Sequence, residues 1–265
     1  MSSLNPVFLL PEAVRERGAA IATGLLGSFT LGVGQFCTKP GLVFVVRGAE
    51  TDTFVAKLAE AVRGAPCGTM LTSGIREAFL GNRGKVTAVP GVLPIAAGSA
   101  PPDAAKTEAA PSVATTSVQT FLANPALATE AFGPFTLIVI ADKVADFAAC
   151  AAALDGQLTA TVHGTAADLA SARPLFAVLE QKAGRLVVNA FPTGVEVCPA
   201  MNHGGPYPAT TDVRFTSVGT AAILRFARPV CYQGLADGLL PPSLQNANPL
   251  DLLRLVDGRP TRDAS

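Results

Sequence analysis

The chain has 265 residues, enough for one large domain or two small ones. Its 20 basic and 20 acidic residues balance to a net charge of zero, so no overall field attracts nucleic acid or an anionic membrane. Hydrophobic residues make up 49% and charged residues 15%, which excludes a disordered chain and suggests that part of the surface meets another domain or subunit.

Helical and strand-like segments alternate along the chain. Residues 11–29 predict a helix with an apolar face, and the apolar, β-branched run Leu42–Val46 predicts a buried strand after it. This alternation is typical of an α/β fold, in which apolar strands are covered by helices on both faces. The later predicted elements are helices near 52–63 and 73–80, a strand over 135–140, a helix from Val144 to Leu154, a strand over 157–162, a helical region over 166–182 that Pro174 must kink or split, and a strand over 185–188.

One segment lacks this periodicity. Residues 98–117 are rich in Ala, Pro, Ser and Thr, and they predict a long surface loop. The segment can be a domain boundary or a long surface excursion from one domain, and we expect the second. No internal repeat is evident.

The five cysteines are widely spaced, form no CxxC pair and are accompanied by only two histidines. This pattern favours neither a metal site nor a disulfide framework. The first residues lack a basic segment followed by an apolar one, and no apolar run reaches the ~18 residues of a membrane-spanning helix. We therefore expect a reduced, cytoplasmic protein without a metal.

The stretch Gly34–Gly41 is the most informative part of the chain. It places Cys37 where a loop leaves a helix and enters a core strand. Catalytic groups favour such loops, and a thiolate that attacks a carbonyl needs a backbone N–H nearby for the oxyanion. Cys37 is therefore a candidate nucleophile, and the competing interpretation is a buried cysteine that packs as a small hydrophobic residue.

Three ordered motifs resemble those of the aldehyde dehydrogenase superfamily. Gly34–Gly41, with the sequence Gly-Gln-Phe-Cys-Thr-Lys-Pro-Gly, resembles the signature around the nucleophilic cysteine. Glu130–Pro134 is similar to the Glu-x-Phe-Gly-Pro motif, whose Glu holds the nicotinamide ribose. Gly184–Cys198 and His203–Thr210 resemble the branch that oxidises 2,5-dioxopentanoate, also called α-ketoglutaric semialdehyde. The likeness covers nearly the whole chain.

The resemblance implies a role for five residues. Cys37 would be the nucleophile, and Glu130 and Phe132 would contact the cofactor. Asn189 would belong to the wall that faces the thiol, and Phe191 would shape the aldehyde tunnel. From the residues alone, Asn189 can also be a turn former, and Phe191 can equally be a packing residue.

The resemblance also implies an overall organisation. The chain would be an aldehyde dehydrogenase catalytic domain over 1–265, a mostly parallel sheet covered by helices, without the N-terminal dinucleotide-binding domain. Residues from about 226 to 265 would form a C-terminal oligomerisation strand and tail. NADP or NAD would bind mainly through the domain absent from this chain, and the full-length protein would be a homo-oligomer. The general-base Glu of the superfamily also falls outside the chain, so the isolated chain is expected to be inactive.

The implied reaction is oxidation of a small aldehyde, 2,5-dioxopentanoate by resemblance, through a Cys37 thioester with NADP or NAD as hydride acceptor. Two alternatives stay open. One is an inactive protein that keeps the fold and serves in assembly. The other is a cysteine acyltransferase or esterase, which requires a His or an acid beside Cys37 that the sequence does not indicate. His203 lies in a turn-rich loop, where a histidine is more often solvent-facing or structural than catalytic.

Overall fold

The computed structural model describes residues 2–265. Over this range the chain forms two compact units, one that extends to Arg225 and one over Phe226–Ser265. The first unit contains the large sheet and the seven α-helices of the described residues. The second contains the 3₁₀ turns Asp237–Leu239 and Pro242–Leu244 and a two-stranded hairpin.

Strands and helices alternate through the first unit, as the sequence predicts. Its strands are β1 (Val7–Leu9), β2 (Leu42–Val46), β3 (Gly68–Thr69), β4 (Leu93–Ala97), β5 (Glu108–Ala109), β6 (Ser112–Ser117), β7 (Phe135–Ala141), β8 (Gln157–His163) and β9 (Ala183–Val188). Its helices are α1 (Pro11–Thr30), α2 (Ala49–Gly64), α3 (Ser73–Thr87), α4 (Val118–Ala123), α5 (Asp146–Ala153), α6 (Ala166–Ser171) and α7 (Arg173–Lys182). The hairpin of the second unit consists of β10 (Arg254–Val256) and β11 (Arg259–Thr261).

Seven strands form one sheet in the order β4-β6-β7-β2-β1-β8-β9. All neighbours in it are parallel except β4 and β6. Parallel neighbours need a crossover connection, and α1, α5 and α7 make such connections between β1 and β2, β7 and β8, and β8 and β9. The parallel strands therefore all begin at one edge, which we call the amino edge of the sheet. The short strands β3 and β5 form a separate antiparallel pair.

Successive side chains of a strand point to opposite faces of the sheet, and helices cover both faces, so the sheet is buried on both sides. Val7 and Val43 pack with α1 and α2 on one face, whereas Phe8 and Phe44 pack with α5 and α7 on the other. The rings of Phe8 and Phe44 stack with centroids 4.7 Å apart. This packing fixes the register of β1 and β2, and with it the loops that enter these strands.

The principal elements agree with the sequence-based predictions. The strand Leu42–Val46 is confirmed, and the helix predicted over 11–29 extends to Thr30. The helical region over 166–182 is split, as expected, between Ser171 and Arg173. Pro174 lies in the first turn of α7, where a missing backbone N–H removes no helical hydrogen bond.

The surface loop predicted over 98–117 is wrong for its second part. Ser112–Ser117 is β6, which lies inside the large sheet between β4 and β7, and residues 113–116 are buried. Threonine is polar enough to suggest a loop, but the β-branched side chains of Val and Thr suit a pleated strand. Over the described residues, no helix has an apolar stretch long enough to cross a bilayer.

Candidate active site

A cleft at the amino edge of the sheet gathers most of the residues that the motifs single out. It has a volume of about 580 Å³, and Cys37, Glu130, Phe132 and His203 are among the residues that line it. Cys37 lies in the loop before β2, and Glu130 and Phe132 lie in the loop before β7. Because β2 and β7 are parallel neighbours, the loops that enter them lie side by side. Three of the five residues assigned from the sequence thus share one cleft.

The backbone around Cys37 is held by Asn5, a fully buried residue just before β1. The Asn5 side-chain nitrogen donates to the carbonyl oxygens of Cys37 and Lys39, at 3.0 and 3.1 Å. Its Oδ1 accepts hydrogen bonds from the hydroxyls of Ser3 and Thr159, at 2.9 and 3.0 Å. These bonds fasten the Cys37 turn to β8 and to the segment before β1. The Cys37 side chain itself is exposed, so the interpretation of Cys37 as a buried packing residue does not hold.

The two motif loops touch through glycines. A Cβ on Gly34 would lie 2.2 Å from the carbonyl carbon of Gly133, and the φ angle of Gly34 is +68°. A Cβ on Gly133 would lie 2.4 Å from the ring of Phe79. No larger residue fits at either position without displacing backbone or a buried ring. The glycines therefore allow the loops of Cys37 and Glu130 to lie against each other.

Lys39 joins the same two loops from within the protein. Its side chain is fully buried, and Nζ donates to the carbonyl oxygens of Ala131 and Phe135, both at 3.0 Å. Burial lowers the pKa of Lys39 to about 8, although the Glu130 carboxylate opposes this by favouring the charged ammonium. Because its hydrogen bonds go to backbone carbonyls, Lys39 has a structural role in positioning both loops.

Glu130 is anchored on one side only. Its Oε2 accepts hydrogen bonds from the Ser2 hydroxyl at 2.8 Å and from the Ser3 backbone N–H at 3.4 Å. Within residues 2–265, its other carboxylate oxygen has no hydrogen-bond partner. Phe132, two residues later, exposes 36% of its surface at the same cleft. The loop before β7 therefore offers the cleft a free carboxylate oxygen and an apolar ring.

His203 contacts the thiol directly. Its Nε2 lies 3.2 Å from Cys37 Sγ, although 166 residues separate the two in the sequence. The His203 backbone N–H donates to Thr216 Oγ1 at 2.7 Å, and its carbonyl oxygen accepts from the Ser217 N–H at 3.0 Å. Nδ1 is buried and has no partner in the described part of the chain. Cys37 is thus the one hydrogen-bond partner of the ring among residues 2–265.

The loop after His203 reaches the amino edge by lying against glycines that precede or begin strands. A Cβ on Gly184, at the start of β9, would lie 2.1 Å from the Gly204 carbonyl oxygen. A Cβ on Gly156, just before β8, would lie 2.1 Å from the Pro206 carbonyl oxygen. Since these contacts involve backbone, only glycine permits them, and they place His203 beside the loop of Cys37.

The surroundings of His203 favour its neutral form. Burial lowers the pKa of His203 below its ordinary value of 6.5, and the nearby guanidinium of Arg185 lowers it further. Arg185 lies on β9 and donates to the carbonyl oxygens of Pro192 and Gly194, at 2.6 and 3.0 Å. His203 is therefore neutral at pH 7, and a neutral imidazole can accept a proton from a thiol.

The structure does not bring Asn189 and Phe191 into this cleft. Asn189 lies beyond the end of β9, where it bridges the Arg17 side chain and the Gly164 backbone with bonds of 2.8 to 2.9 Å. Phe191 packs on Gly24 of α1 and lies 4.9 Å from the ring of His163. Residues that follow a parallel strand lie at the opposite edge from those that precede one. The placement of both residues in the substrate wall is thus corrected: Asn189 forms a turn, and Phe191 packs.

The residue of the cleft that the sequence-based interpretation undervalues is His203. Its only sequence signal is its position in the His-Gly-Gly-Pro stretch, which predicts a turn but says nothing about a contact with Cys37. The requirement of the acyltransferase alternative, a His beside Cys37, is therefore met after all. All five cysteines are free, and no group of three or more potential metal ligands occurs within the described range.

Known proteins are similar to this chain in sequence over nearly its whole length. No protein-family model matches the chain. The chain is 52% identical over 261 residues to "Alpha-ketoglutaric semialdehyde dehydrogenase 2" of Azospirillum brasilense, an alignment that covers 98% of this chain and 49% of that protein. It is 43% identical over 259 residues to "Alpha-ketoglutaric semialdehyde dehydrogenase" of Acinetobacter baylyi, with 97% of this chain and 49% of that protein covered. The chain thus spans about half the length of these relatives.

The fold gives a consistent result. The structure is similar to that of the γ-glutamyl-γ-aminobutyraldehyde dehydrogenase from Burkholderia cenocepacia J2315, with a TM-score of 0.67 at 21% identity over 84% of this chain and 44% of that one. The mostly parallel sheet covered by helices matches the catalytic domain of such enzymes. The chain matches about half the length of each of these proteins. By its sequence and its fold, it belongs to the aldehyde dehydrogenase superfamily.

Proposed function

We propose that Cys37 is the nucleophile of an aldehyde-oxidising site formed at the amino edge of the sheet. The observation that carries the proposal is that Cys37, exposed in the cleft, lies 3.2 Å from a neutral histidine and shares the cleft with Glu130. A reactive thiol needs access to the substrate and a nearby proton acceptor, and Cys37 has both. The thiol of Cys150 is fully buried, which denies it access to a substrate and raises its pKa to about 12.

The reaction would be covalent. Cys37 Sγ adds to the aldehyde carbonyl, and the resulting oxyanion needs hydrogen-bond donors that are already in place. The backbone N–H of Cys37 can supply one, because it has no partner among residues 2–265. Loss of a hydride from this adduct leaves a thioester on Cys37, and hydrolysis of the thioester releases the carboxylate.

The cofactor of this reaction would be NADP or NAD. When bound, the nicotinamide ring supplies the hydride acceptor. The free carboxylate oxygen of Glu130 can accept a hydrogen bond from a ribose hydroxyl, and the exposed ring of Phe132 can cover an apolar face of the ligand. Glu130 offers a single hydrogen bond of roughly 1 kcal/mol, far less than the cost of immobilising a dinucleotide. We therefore propose that residues 2–265 alone do not turn over, and that most of the cofactor binds to another domain.

The proposed substrate is α-ketoglutaric semialdehyde, 2,5-dioxopentanoate. The names of both relatives support this choice. The guanidinium of Arg225 also lines the cleft, where it offers a cation to a carboxylate of the substrate. For the whole protein we further propose a homo-oligomer in the cytoplasm. We also propose that it has no nucleic-acid or membrane partner, which the zero net charge of this chain supports.

A chimera tests the proposed function. Residues 2–265 would replace the matching half of the Azospirillum brasilense relative, and reduction of NADP by 2,5-dioxopentanoate would be followed by absorbance. We expect activity in the chimera and none in its Cys37→Ser variant, with Cys150→Ser as the matched control that keeps activity. A folded chimera that oxidises no aldehyde, or a Cys37→Ser variant that remains active, would refute the proposal.

The contact between Cys37 and His203 also favours a second candidate, acyl transfer to Cys37 from an activated ester. A thiol beside a neutral imidazole is suited to this reaction, which needs no nicotinamide. Hydrolysis of p-nitrophenyl acetate by the chain without NADP, lost in Cys37→Ser, would support it. Ester hydrolysis that survives in Cys37→Ser would exclude it.

A further inference from the structure

We propose that His203 is a catalytic residue that accepts the thiol proton when Cys37 attacks the substrate carbonyl. This inference rests on the proposed function of Cys37 and adds the proton acceptor for its first step. The geometry is direct, because Nε2 of a nine-tenths buried histidine lies within hydrogen-bond distance of Sγ.

A purely structural role does not explain the ring. The bonds that hold the loop involve the His203 backbone, whose N–H and carbonyl are paired with Thr216 and Ser217. The imidazole contributes nothing to these bonds. Its Nδ1 is buried without a partner in the described residues, which lowers the stability of the folded protein. A small apolar residue at this position would leave no buried polar atom unpaired, so a role at Cys37 accounts better for the histidine.

The charged groups around His203 are arranged for transient proton transfer. Burial, and after it the positive charge of Arg185 on β9, lower the pKa of His203 and favour the neutral imidazole, the form that can accept a proton. Glu130, Asp212 and Arg225 line the same cleft. The carboxylate of Asp212 is bound by Arg214 at 2.6 and 3.0 Å, so it is not available to hold the imidazole. Without a carboxylate at Nδ1, His203 is the base of a dyad and not of a triad.

The step balances within the cleft. The S–H bond of Cys37 breaks and its proton moves to Nε2, while a bond forms between Sγ and the carbonyl carbon. The π electrons of the carbonyl move to its oxygen, which becomes an oxyanion beside the Cys37 N–H. The imidazolium next to Arg185 is disfavoured, so it releases its proton to solvent in the open cleft.

Alkylation of the chain by iodoacetamide tests the inference without cofactor or aldehyde. Rate constants at each cysteine would be measured by quantitative peptide mapping between pH 6 and pH 9 for the unmodified chain, His203→Gln and His203→Asn. Both amides can still donate a hydrogen bond to sulfur, but neither can take up its proton. We expect alkylation of Cys37 to slow roughly tenfold at pH 7 in both variants, and the difference to vanish near pH 9, where free thiols ionise unaided.

His163→Gln is the matched control, because His163 is the other histidine of the chain, is buried and lies at the opposite end of β8. It should leave the rate at Cys37 unchanged. Cys198 provides an internal reference whose rate must not change in the His203 variants.

Equal rates at Cys37 in the unmodified chain and the His203 variants would overturn the role of His203 and leave Cys37 as nucleophile. A Cys37 no more reactive than Cys198 in the unmodified chain would instead remove the basis of the proposed function. If both variants accelerate Cys198, their loop has opened, and the unmodified chain decides: an excess rate at Cys37 that is present at pH 7 and gone at pH 9 supports the inference, and a constant ratio overturns it.

Discussion

Replacement of Gly34 by alanine should show how strongly the two motif loops depend on each other. The new Cβ would lie 2.2 Å from the Gly133 carbonyl carbon, whereas carbon atoms in van der Waals contact are about 3.5 Å apart. Both partners are backbone, so no side-chain rotation relieves the overlap. The loops of Cys37 and Glu130 must therefore separate by more than about 1 Å.

The expected magnitude has two parts. A left-handed φ costs alanine roughly 1–2 kcal/mol relative to glycine. Separation of the loops adds a similar loss through weakened contacts at Lys39 and Asn5, so we expect Gly34→Ala to lower the free energy of unfolding by about 2–4 kcal/mol, toward the upper end for one substitution. The same shift should slow alkylation of Cys37.

The measurement is urea unfolding followed by circular dichroism, with Gly81→Ala as the matched control. Gly81 lies in the middle of α3, and no atom lies within 4 Å of a Cβ built there. Alanine at this exposed helical site should stabilise the protein by about 0.5–1 kcal/mol, so the two substitutions should have opposite signs. A Gly34→Ala variant as stable as the unmodified chain would refute the argument from close approach.

Two further substitutions probe the support of the cleft. The pKa of Lys39 is about 8 in the folded protein and 10.5 for an unperturbed lysine, so burial of its ammonium costs most below pH 8 and the cost is relieved as the pH rises toward 10.5. Relative to Lys39→Met, the stability of the unmodified chain in urea should therefore increase with pH over this window, by roughly 3 kcal/mol at most; a difference independent of pH would contradict the buried charge. Asn5→Asp replaces the donor that faces two carbonyl oxygens by a carboxylate, and it should destabilise the chain by about 3 kcal/mol or more and slow Cys37 alkylation, whereas unchanged urea midpoints would show that these hydrogen bonds contribute little.

Much of the fold follows from local patterns in the sequence. The apolar runs at Leu42–Val46 and Phe135–Ala141 are too short for helices and too apolar for an exposed strand, so they predict buried parallel strands, and they are. β6 is different, because the sequence Ser-Val-Ala-Thr-Thr-Ser has the polarity of a loop. Its burial depends on the neighbours β4 and β7, which no local window contains.

The residues of the site divide in the same way into those that local sequence patterns predict and one that depends on a long-range contact. Cys37 and Glu130 each precede a parallel strand, so a shared edge is implied once the sheet is recognised as parallel. The same rule excludes Asn189, which follows β9. His203 obeys no such rule, because no strand of the large sheet follows it and 166 residues separate it from Cys37. Its place depends on the fit of its loop against Gly156 and Gly184, a long-range contact that periodicity cannot reveal.

The location of the cleft at the amino edge has a consequence for its electrostatics. Helices that cross between parallel strands run opposite to them, so α1, α5 and α7 all end at this edge and direct their partially negative carboxyl termini toward it. Reactive cysteines often lie at the positive end of a helix, which stabilises their anionic form. Cys37 instead follows the partially negative end of α1. The group that contacts its sulfur, His203, is brought in by a loop that lies 166 residues away in the sequence, so the chemistry of this thiol depends on that loop and not on a helix terminus.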